Sequence, residues 1–150
     1  MIRILFICHG NICRSAMAEF IFRDMLAKRG LSDVVSVSSA ATSREEIGND
    51  MYPPAKRQLD KKHIPYTARR ARQITRNDYG ENDLILCMEQ YNIRNLQRII
   101  PTDPEGKVHL LLDYSENPRD ISDPWYTGDF EKAYNDIVEG CEALLNHLKL

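Results

Sequence analysis

The sequence has no long apolar run and no excess of positive charge. Its longest apolar runs are about five residues, whereas a membrane-spanning helix needs roughly 20. The 20 lysine and arginine residues are balanced by 22 acidic residues. The net charge of the chain therefore does not favour binding to nucleic acid or to a membrane surface. One basic residue, Arg3, precedes the first apolar run, and no signal-peptide pattern is visible. We therefore expect a cytoplasmic protein.

The sequence also has only four cysteines, and their spacing matches no metal site. Cys87 and Cys141 lie in apolar stretches, where packing in the core is the expected role. In a reducing compartment all four side chains would be thiols. Cys13 differs because it follows Cys8 closely, and a reversible disulfide between these two would protect an oxidised Cys8 from further oxidation.

The apolar pattern predicts an alternation of strands and helices. Strands are expected at residues 2–7, 34–38, 84–88 and 108–112, helices at 15–29, 53–63, 90–100 and 129–148, and polar connections at 42–52, 77–83 and 115–128. Strands that are apolar throughout and alternate with helices indicate a parallel sheet covered on both faces. We predict one α/β domain over residues 1–150 with three layers, in which a four-stranded parallel sheet lies between helices. The site is expected at the carboxyl ends of the strands.

One string of residues, CHGNICRS at 8–15, stands between the first predicted strand and the first predicted helix. A helix N-terminus offers free N–H groups and the positive end of a dipole, so it attracts anions. A cysteine at such a place has its thiolate stabilised and is nucleophilic. The guanidinium of Arg14 can grip two oxygens of a phosphate. The string therefore predicts phosphoryl transfer through Cys8, although a lone cysteine at a strand end is often a buried core residue.

Three other residues of this string suit the conformation and the hydrogen bonds of an anion-binding loop. Gly10 lets the backbone approach an anion closely. Asn11 tolerates a left-handed backbone, which turns N–H groups inward. Ser15 can cap the helix and donate a hydrogen bond to the Cys8 thiolate. The combination favours a functional loop over core packing.

A second string, DPWY at 123–126, supplies the proton donor that the leaving oxygen needs when a P–O bond breaks. The proline stiffens the loop beside Asp123. Trp125 and Tyr126 are flat rings that suit the walls of a pocket for an aromatic leaving group. Asp120 and Asp129 are competing donors, and Asp129 fits better as a helix N-cap.

The strings at 8–15 and 123–126 resemble the two catalytic motifs of the low-molecular-weight protein tyrosine phosphatases. Further segments similar to that family follow in the same order, namely SSAAT at 38–42, ARQ at 71–73 and ILCM at 85–88. The resemblance covers essentially the whole chain. It implies the Rossmann-like fold of the phosphotyrosine phosphatase I type, and it implies no metal and no organic cofactor.

The resemblance also implies roles for the matching residues. Cys8 attacks phosphorus and forms a phosphocysteine, while Asp123 protonates the phenolate and then acts as base for the hydrolytic water. Arg14 binds phosphate together with the loop residues His9, Gly10, Asn11, Ile12, Cys13 and Ser15. Ser15 assists Cys8 as a donor, Asn11 maintains the loop, and Ser39 hydrogen-bonds to Asn11. The substrate pocket is lined by Trp125, Tyr126, Ile12 and Glu45.

The partners implied by the resemblance are phosphotyrosine-containing proteins, with a tyrosine kinase as one candidate. Phosphate-like oxyanions are expected to inhibit. No nucleic acid or membrane partner is expected, and the chain is expected to be mostly a monomer, although exposed Trp125 and Tyr126 could support weak self-association.

Three residues depart from the family pattern. His9 stands where relatives often have an apolar residue or threonine, and we favour an exposed ring without a role over a charged ring that stabilises the thiolate. Arg69 stands where many relatives have histidine, which predicts a rewired hydrogen-bond network behind the loop. Glu45 replaces an aromatic pocket wall, which predicts a more open pocket that disfavours acidic peptides.

Residues 56–76 carry eight basic side chains against one acidic side chain, Asp60. That stretch has a net charge of +7, so the remainder of the chain has −9. A solvated face is the expected role. A docking surface for a phosphorylated or acidic partner is the alternative.

Three other functions fit parts of the pattern. An arsenate reductase resembles this fold and loop but needs further redox cysteines downstream, and the segment between Cys87 and Cys141 has none. A protein arginine phosphatase of the same family tends to have threonine where Ile12 stands. A non-catalytic phosphate-binding module would not need Cys8, Arg14 and Asp123 together.

Overall fold

A computed structural model describes residues 1–150 and contains four strands and six helices. The elements in chain order are β1 (Ile2–Cys8), α1 (Arg14–Lys28), β2 (Val35–Ala41), α2 (Pro53–Lys61), α3 (Asn77–Glu81), β3 (Leu84–Cys87), α4 (Gln90–Leu96), β4 (Val108–Leu110), α5 (Pro124–Thr127) and α6 (Phe130–Leu148), with a 3-10 turn at Leu111–Tyr114. None of the helices has the length and apolar character that crossing a bilayer requires.

The four strands form one parallel sheet in the order β2-β1-β3-β4. The central strand β1 is completely buried from Ile4 to Ile7, because helices cover both faces of the sheet. Ile4 and Phe6 pack into the larger core cluster with α1 and α6. Leu5 and Ile7 point the other way, into a smaller cluster that includes side chains of α4. The predicted three-layer α/β architecture is therefore confirmed.

The predicted polar connections were wrong in two places, since each contains a short helix. Helix α3 lies within 77–83, and helix α5 lies within 115–128. Each has a carboxylate in its first turn or at its N-cap that accepts a backbone N–H group: Asp78, within α3, accepts from Thr75 N at 2.7 Å, and Asp123, the N-cap of α5, accepts from Trp125 N at 3.0 Å. Such local hydrogen bonds stabilise single helical turns. The turns are too short to show an apolar periodicity in the sequence, so the pattern did not predict them.

Several boundaries also differ from the prediction. Strand β2 continues to Ala41, which pairs with Cys8. Helix α4 ends at Leu96, and β4 ends at Leu110 where the Asp113 carboxylate accepts a hydrogen bond from Leu110 N at 3.0 Å. This bond turns the chain into the 3-10 segment instead of extending the strand.

The two predicted helix caps have different outcomes. Asp129 caps α6, since its carboxylate accepts a hydrogen bond from Lys132 N at 2.9 Å. The expected cap by Ser15 was wrong: α1 already begins at Arg14, Cys13 precedes it, and no side chain caps this end. The Ser15 hydroxyl lies instead within reach of Cys8.

Most basic side chains of residues 56–76 are paired with nearby groups of this chain. Lys56 Nζ lies 2.8 Å from Asp50, and Lys62 Nζ lies 2.8 Å from Glu131. Hydrogen bonds from Lys62 and then Gln58 lower the pKa of Glu131 to about 2. These pairs occupy much of the positive charge that a docking surface would have to present.

Candidate active site

The loop between β1 and α1 wraps around the sulfur of Cys8. Backbone N–H groups of Asn11 and Ser15 donate to Cys8 Sγ at 3.3 and 3.4 Å. The Ser15 hydroxyl lies 3.0 Å from the same sulfur. Cys8 is 3% exposed, and it ends the central strand of the sheet. The sulfur therefore sits on the floor of a cleft, surrounded by groups that stabilise negative charge.

Asn11 adopts the left-handed backbone, with φ at 61°, and its side chain is completely buried. Its Nδ2 donates to Ser15 Oγ at 2.8 Å and to Ser39 Oγ at 2.9 Å. Its Oδ1 accepts from Arg69 Nη2 at 2.5 Å and from Arg72 N at 3.3 Å. These four hydrogen bonds hold a conformation that is otherwise unfavourable for a residue with a Cβ atom.

A further carboxylate, Glu19, extends this network and was not expected from the sequence. Ser39 Oγ donates to Glu19 Oε1 at 2.6 Å, and Glu19 Oε2 pairs with Arg23 Nη1 at 2.7 Å. Glu19 is 9% exposed and lies among the buried, mostly apolar residues of α1. A charged residue four positions after Ser15 on a buried helix face is the signal that could have identified it.

Arg14 is almost fully buried and is held at both ends of its guanidinium. Nη1 donates to Glu89 and to the carbonyl oxygen of Ile121, the latter at 2.7 Å. Nη2 lies 3.3 Å from Asp123 Oδ2. Burial disfavours the charge, but the negative charges of Cys8, Asp123 and Glu89 outweigh it and raise the pKa of Arg14. The guanidinium is therefore a fixed positive charge beside the sulfur.

Glu89 is a second site residue that was not predicted from the sequence, although its position after β3 indicates it. It follows β3 by two residues, so it lies at the carboxyl edge of the sheet beside the end of β1. A carboxylate at this edge is well placed to pair with Arg14, which comes from the neighbouring loop.

Of the three candidate acids, only Asp123 lines the cleft. Its Oδ1 accepts a hydrogen bond from Trp125 N at 3.0 Å, and its side chain is 20% exposed. The Asp120 carboxylate is engaged elsewhere, by Gln90 N at 3.1 Å, and Asp129 caps α6. Of these three candidates the structure brings only Asp123 next to Arg14 and into the cleft that contains the sulfur.

The cleft has a volume of about 100 Å³. The lining residues are Cys8, His9, Gly10, Ile12, Cys13, Arg14, Glu45, Glu46, Asp123, Trp125 and Tyr126. Asn11, Ser15 and Ser39 lie behind the loop rather than in the lining. Glu46 was not expected there; its Cγ would lie 3.3 Å from a Cβ atom at position 10, so the glycine permits the close approach.

Aromatic rings stand at one side of the cleft mouth. Trp125 is 50% exposed and Tyr126 is 82% exposed. The ring of Tyr52 packs against Trp125 with 4.6 Å between centroids, and it also approaches Phe130 at 6.1 Å. Tyr52 lies in the segment that the sequence marked only as a polar loop, and no periodic signal distinguishes it there.

The His9 side chain is 30% exposed and has contacts, where the sequence favoured an exposed ring without a role. Its Nε2 lies 2.9 Å from Glu45 Oε2, and its ring stacks near Tyr91 with 6.3 Å between centroids. The contact links the loop between β1 and α1 (residues 9–13, the expected phosphate loop) to the loop that follows β2.

The four cysteines are all free and buried. Burial raises the pKa of Cys13, and the charge on Cys8 raises it further. Burial likewise raises the pKa values of Cys87 and Cys141, which are fully enclosed in the core as expected. No group of three His, Cys, Asp or Glu side chains is arranged to hold a metal ion.

Comparison with known proteins shows similarity over nearly the whole chain. Residues 3–150 match the family model described as low molecular weight phosphotyrosine protein phosphatase. The chain is 40% identical to the low molecular weight protein-tyrosine-phosphatase YfkJ of Bacillus subtilis over 147 residues, covering 97% of this chain and 94% of that one. It is also 40% identical to the human low molecular weight phosphotyrosine protein phosphatase, covering 95% of this chain and 92% of that one.

Solved structures show the same similarity. The crystal structure of YfkJ from Bacillus subtilis superposes with a TM-score of 0.95 at 38% identity, over 99% of this chain and 95% of that chain. The crystal structure of a Drosophila arginine phosphatase superposes with a TM-score of 0.88 at 30% identity, over 98% of both chains.

Proposed function

This chain belongs to the low molecular weight phosphotyrosine protein phosphatase family and is a hydrolase of the protein-tyrosine phosphatase class, and we propose that it hydrolyses phosphotyrosine through a phosphocysteine on Cys8. The observation that carries the proposal is that Cys8 Sγ accepts two backbone N–H groups and lies 3.0 Å from the Ser15 hydroxyl. A sulfur that accepts backbone N–H groups is suited to react as the thiolate, and to a thiolate the Ser15 hydroxyl would donate as well.

In the first step the Cys8 thiolate attacks phosphorus in line with the phenolic oxygen. The S–P bond forms, the P–O bond breaks, and its electron pair goes to the leaving oxygen. Asp123 donates the proton that this oxygen takes up. The buried guanidinium of Arg14 and the loop N–H groups stabilise the charge on the other phosphate oxygens.

In the second step the Asp123 carboxylate takes a proton from water. The water oxygen attacks phosphorus, the S–P bond breaks, and inorganic phosphate leaves with the thiolate of Cys8 restored. The same carboxyl group thus acts as acid and then as base, and the reaction consumes one water and no other reactant. The exposed rings of Trp125 and Tyr126 flank the substrate ring at the cleft mouth.

The experiment that tests the proposal is phosphate release from a phosphotyrosine peptide, with chelator and reductant present. We expect turnover by the wild type, no turnover by Cys8→Ser, and a rate lowered roughly 10²- to 10⁴-fold in Asp123→Asn. Cys141→Ala is the matched control, because this cysteine is buried in α6 and does not line the cleft. Binding of phosphate without turnover by folded, reduced wild type would contradict the proposal and favour a non-catalytic module.

Phosphoarginine is a second candidate substrate, favoured by the two carboxylates, Glu45 and Glu46, that line the cleft. A guanidinium next to the scissile bond would be attracted by them. Ile12, which is apolar and 8% exposed, favours an aryl group instead. Parallel assays of phosphotyrosine and phosphoarginine peptides distinguish the two, and we expect the higher kcat/KM for phosphotyrosine.

The arsenate reductase alternative is disfavoured, because Cys87 and Cys141 are both fully buried in the core and a disulfide cascade needs accessible thiols.

Four further expectations stay predictions: the cytoplasmic location, the tyrosine kinase as substrate, the monomeric state and inhibition by phosphate-like oxyanions. The last of these follows from the mechanism, because such an oxyanion would occupy the place of the substrate phosphate beside Arg14.

A further inference from the structure

Tyr52 touches both loops of the site although it belongs to neither. Its backbone N–H donates to the carbonyl oxygen of Ile12, in the phosphate loop, at 2.9 Å. Its ring packs on Trp125, in the loop of the proposed acid, with 4.6 Å between centroids. One residue therefore connects the part of the chain that holds Cys8 to the part that holds Asp123.

The backbone of Tyr52 is stiff on both sides of this connection. Two prolines follow it, and its φ and ψ of −56° and 134° lie near the polyproline II region, to which a following proline restricts a residue. Its carbonyl oxygen accepts hydrogen bonds from Ala55 N at 2.9 Å and Lys56 N at 3.2 Å. The ring is therefore presented from a fixed point at the start of α2.

Trp125 connects the Tyr52 ring to Asp123, because it contacts both. The Trp125 backbone N–H donates to Asp123 Oδ1 at 3.0 Å, and Asp123 is the N-cap of the single turn α5 that contains Trp125. The turn closes when Gly128 N donates to the carbonyl oxygen of Pro124 at 2.9 Å. A displacement of the Trp125 ring therefore moves the carboxyl group of Asp123.

Asp123 needs such support during the reaction. Its Oδ2 lies 3.3 Å from Arg14 Nη2, but to protonate the leaving oxygen the carboxyl group has to face the substrate, where this contact no longer fixes it. The packing of Tyr52 against Trp125 does not involve the carboxyl group and can persist.

We propose that Tyr52 is a positioning residue that holds the turn of Asp123 against the phosphate loop, so that the acid meets the leaving oxygen. This rests on the proposed function, because it assigns Asp123 as the acid. The contribution comes from the ring and not from the hydroxyl, for which the structure shows no hydrogen-bond partner.

The test compares two aryl phosphates, phenyl phosphate and p-nitrophenyl phosphate, whose phenols differ in acidity. The measured quantity is kcat/KM, which covers only the steps through release of the phenol. Nitrophenolate leaves without help, whereas phenolate needs the proton from the acid. We expect Tyr52→Ala to lower kcat/KM about tenfold for phenyl phosphate, a part of the roughly 10²- to 10⁴-fold loss on removing an acid, and to change it less than about twofold for p-nitrophenyl phosphate.

Tyr52→Phe keeps the ring and should restore the wild-type ratio between the two substrates. Tyr66→Ala is the matched control, since the Tyr66 ring packs on Phe20, with 6.2 Å between centroids, away from the cleft. An equal loss on both substrates in Tyr52→Ala, or no loss on either, overturns the proposal. If Tyr52→Ala does not fold, Tyr52→Leu takes its place under the same criteria. Failure of the proposed function would appear separately, as wild-type turnover that does not need Cys8 and Asp123.

Discussion

Arg69 Nη2 donates a hydrogen bond to Asn11 Oδ1 at 2.5 Å, behind the phosphate loop. Burial lowers the pKa of Arg69, so this guanidinium is held where charge is costly. The sequence predicted a rewired network at this position; in the structure an arginine reaches directly to the left-handed residue of the loop.

We therefore expect Arg69→Ala to lower kcat/KM for phosphotyrosine by about tenfold or more. A hydrogen bond to a charged group contributes about 1.5–3 kcal/mol, and Asn11 would keep only the Arg72 N–H on its Oδ1. Steady-state kinetics and inhibition by inorganic phosphate measure the effect. Arg70→Ala is the control, because its exposed side chain makes no hydrogen bond or ion pair. Equal kinetics of the two variants would show that the loop does not depend on Arg69.

A second prediction concerns oxidation of the cleft. Mild peroxide should convert the Cys8 thiolate to a sulfenic acid, and the Cys13 thiol should then displace water to form a disulfide. Wild-type activity should return with dithiothreitol, whereas Cys13→Ser should lose activity irreversibly as Cys8 proceeds to sulfinic acid. Mass spectrometry of the peptide that contains both cysteines measures the outcome. Absence of an internal disulfide in the peroxide-treated wild type would contradict the hypothesis that Cys13 protects Cys8.

A third prediction concerns Gly140, where α6 passes close to the 3-10 turn. A Cβ atom at this position would lie 2.5 Å from Leu111 Cγ, inside the core. Gly140→Ala should therefore lower the free energy of unfolding by about 1–3 kcal/mol, measured by urea denaturation. At Gly80, in α3, a Cβ atom would meet nothing within 4 Å, so Gly80→Ala should be neutral or stabilising by up to about 1 kcal/mol. The opposite ranking would contradict the close packing.

A fourth prediction concerns pH and the Asp78 carboxylate. Burial raises its pKa, but hydrogen bonds from Arg72 and Thr75 outweigh burial and lower it overall. The stabilisation is therefore complete above the ordinary Asp pKa of about 3.9 and is lost as the pH falls through the lower value of the folded protein. Asp78→Asn should cost about 1–2 kcal/mol at pH 7.

The difference between wild type and Asp78→Asn should shrink as the pH falls below about 4, as followed by urea denaturation at several pH values. Asp33→Asn is the control, because Asp33 is exposed and forms no ion pair. A difference that stays constant down to the lowest pH would mean that Asp78 does not act through its charge.

The sequence was sufficient for those parts of the site that are local in the chain. The apolar strands, the loop at 8–15 and the helix that follows it all depend on near neighbours, and the fold prediction was confirmed. The Asp123 segment could be recognised because proline and two aromatic residues mark it. Such patterns carry information because local conformation and burial limit which residues can occupy them.

The remaining parts depend on contacts between distant segments, which one sequence does not reveal. Glu89 reaches Arg14 only because β3 lies beside β1 in the sheet. Tyr52 reaches Trp125 only because α2 starts beside the cleft. The short helices α3 and α5 were not predicted because they are single turns with a hydrogen-bonded carboxylate and no apolar repeat.

The groups that hold the Arg14 side chain come from much later parts of the sequence than Arg14 itself. Its partners Glu89, Ile121 and Asp123 all lie downstream, and Ile121 follows Arg14 by 107 positions. The loop that carries Cys8 is thus encoded near the beginning, while the groups that orient its guanidinium are encoded near the end. During synthesis the early segment would remain without these partners until most of the chain has left the ribosome. The competent site is for this reason a property of the completed fold, and a nascent or truncated chain would hold the motif without the activity.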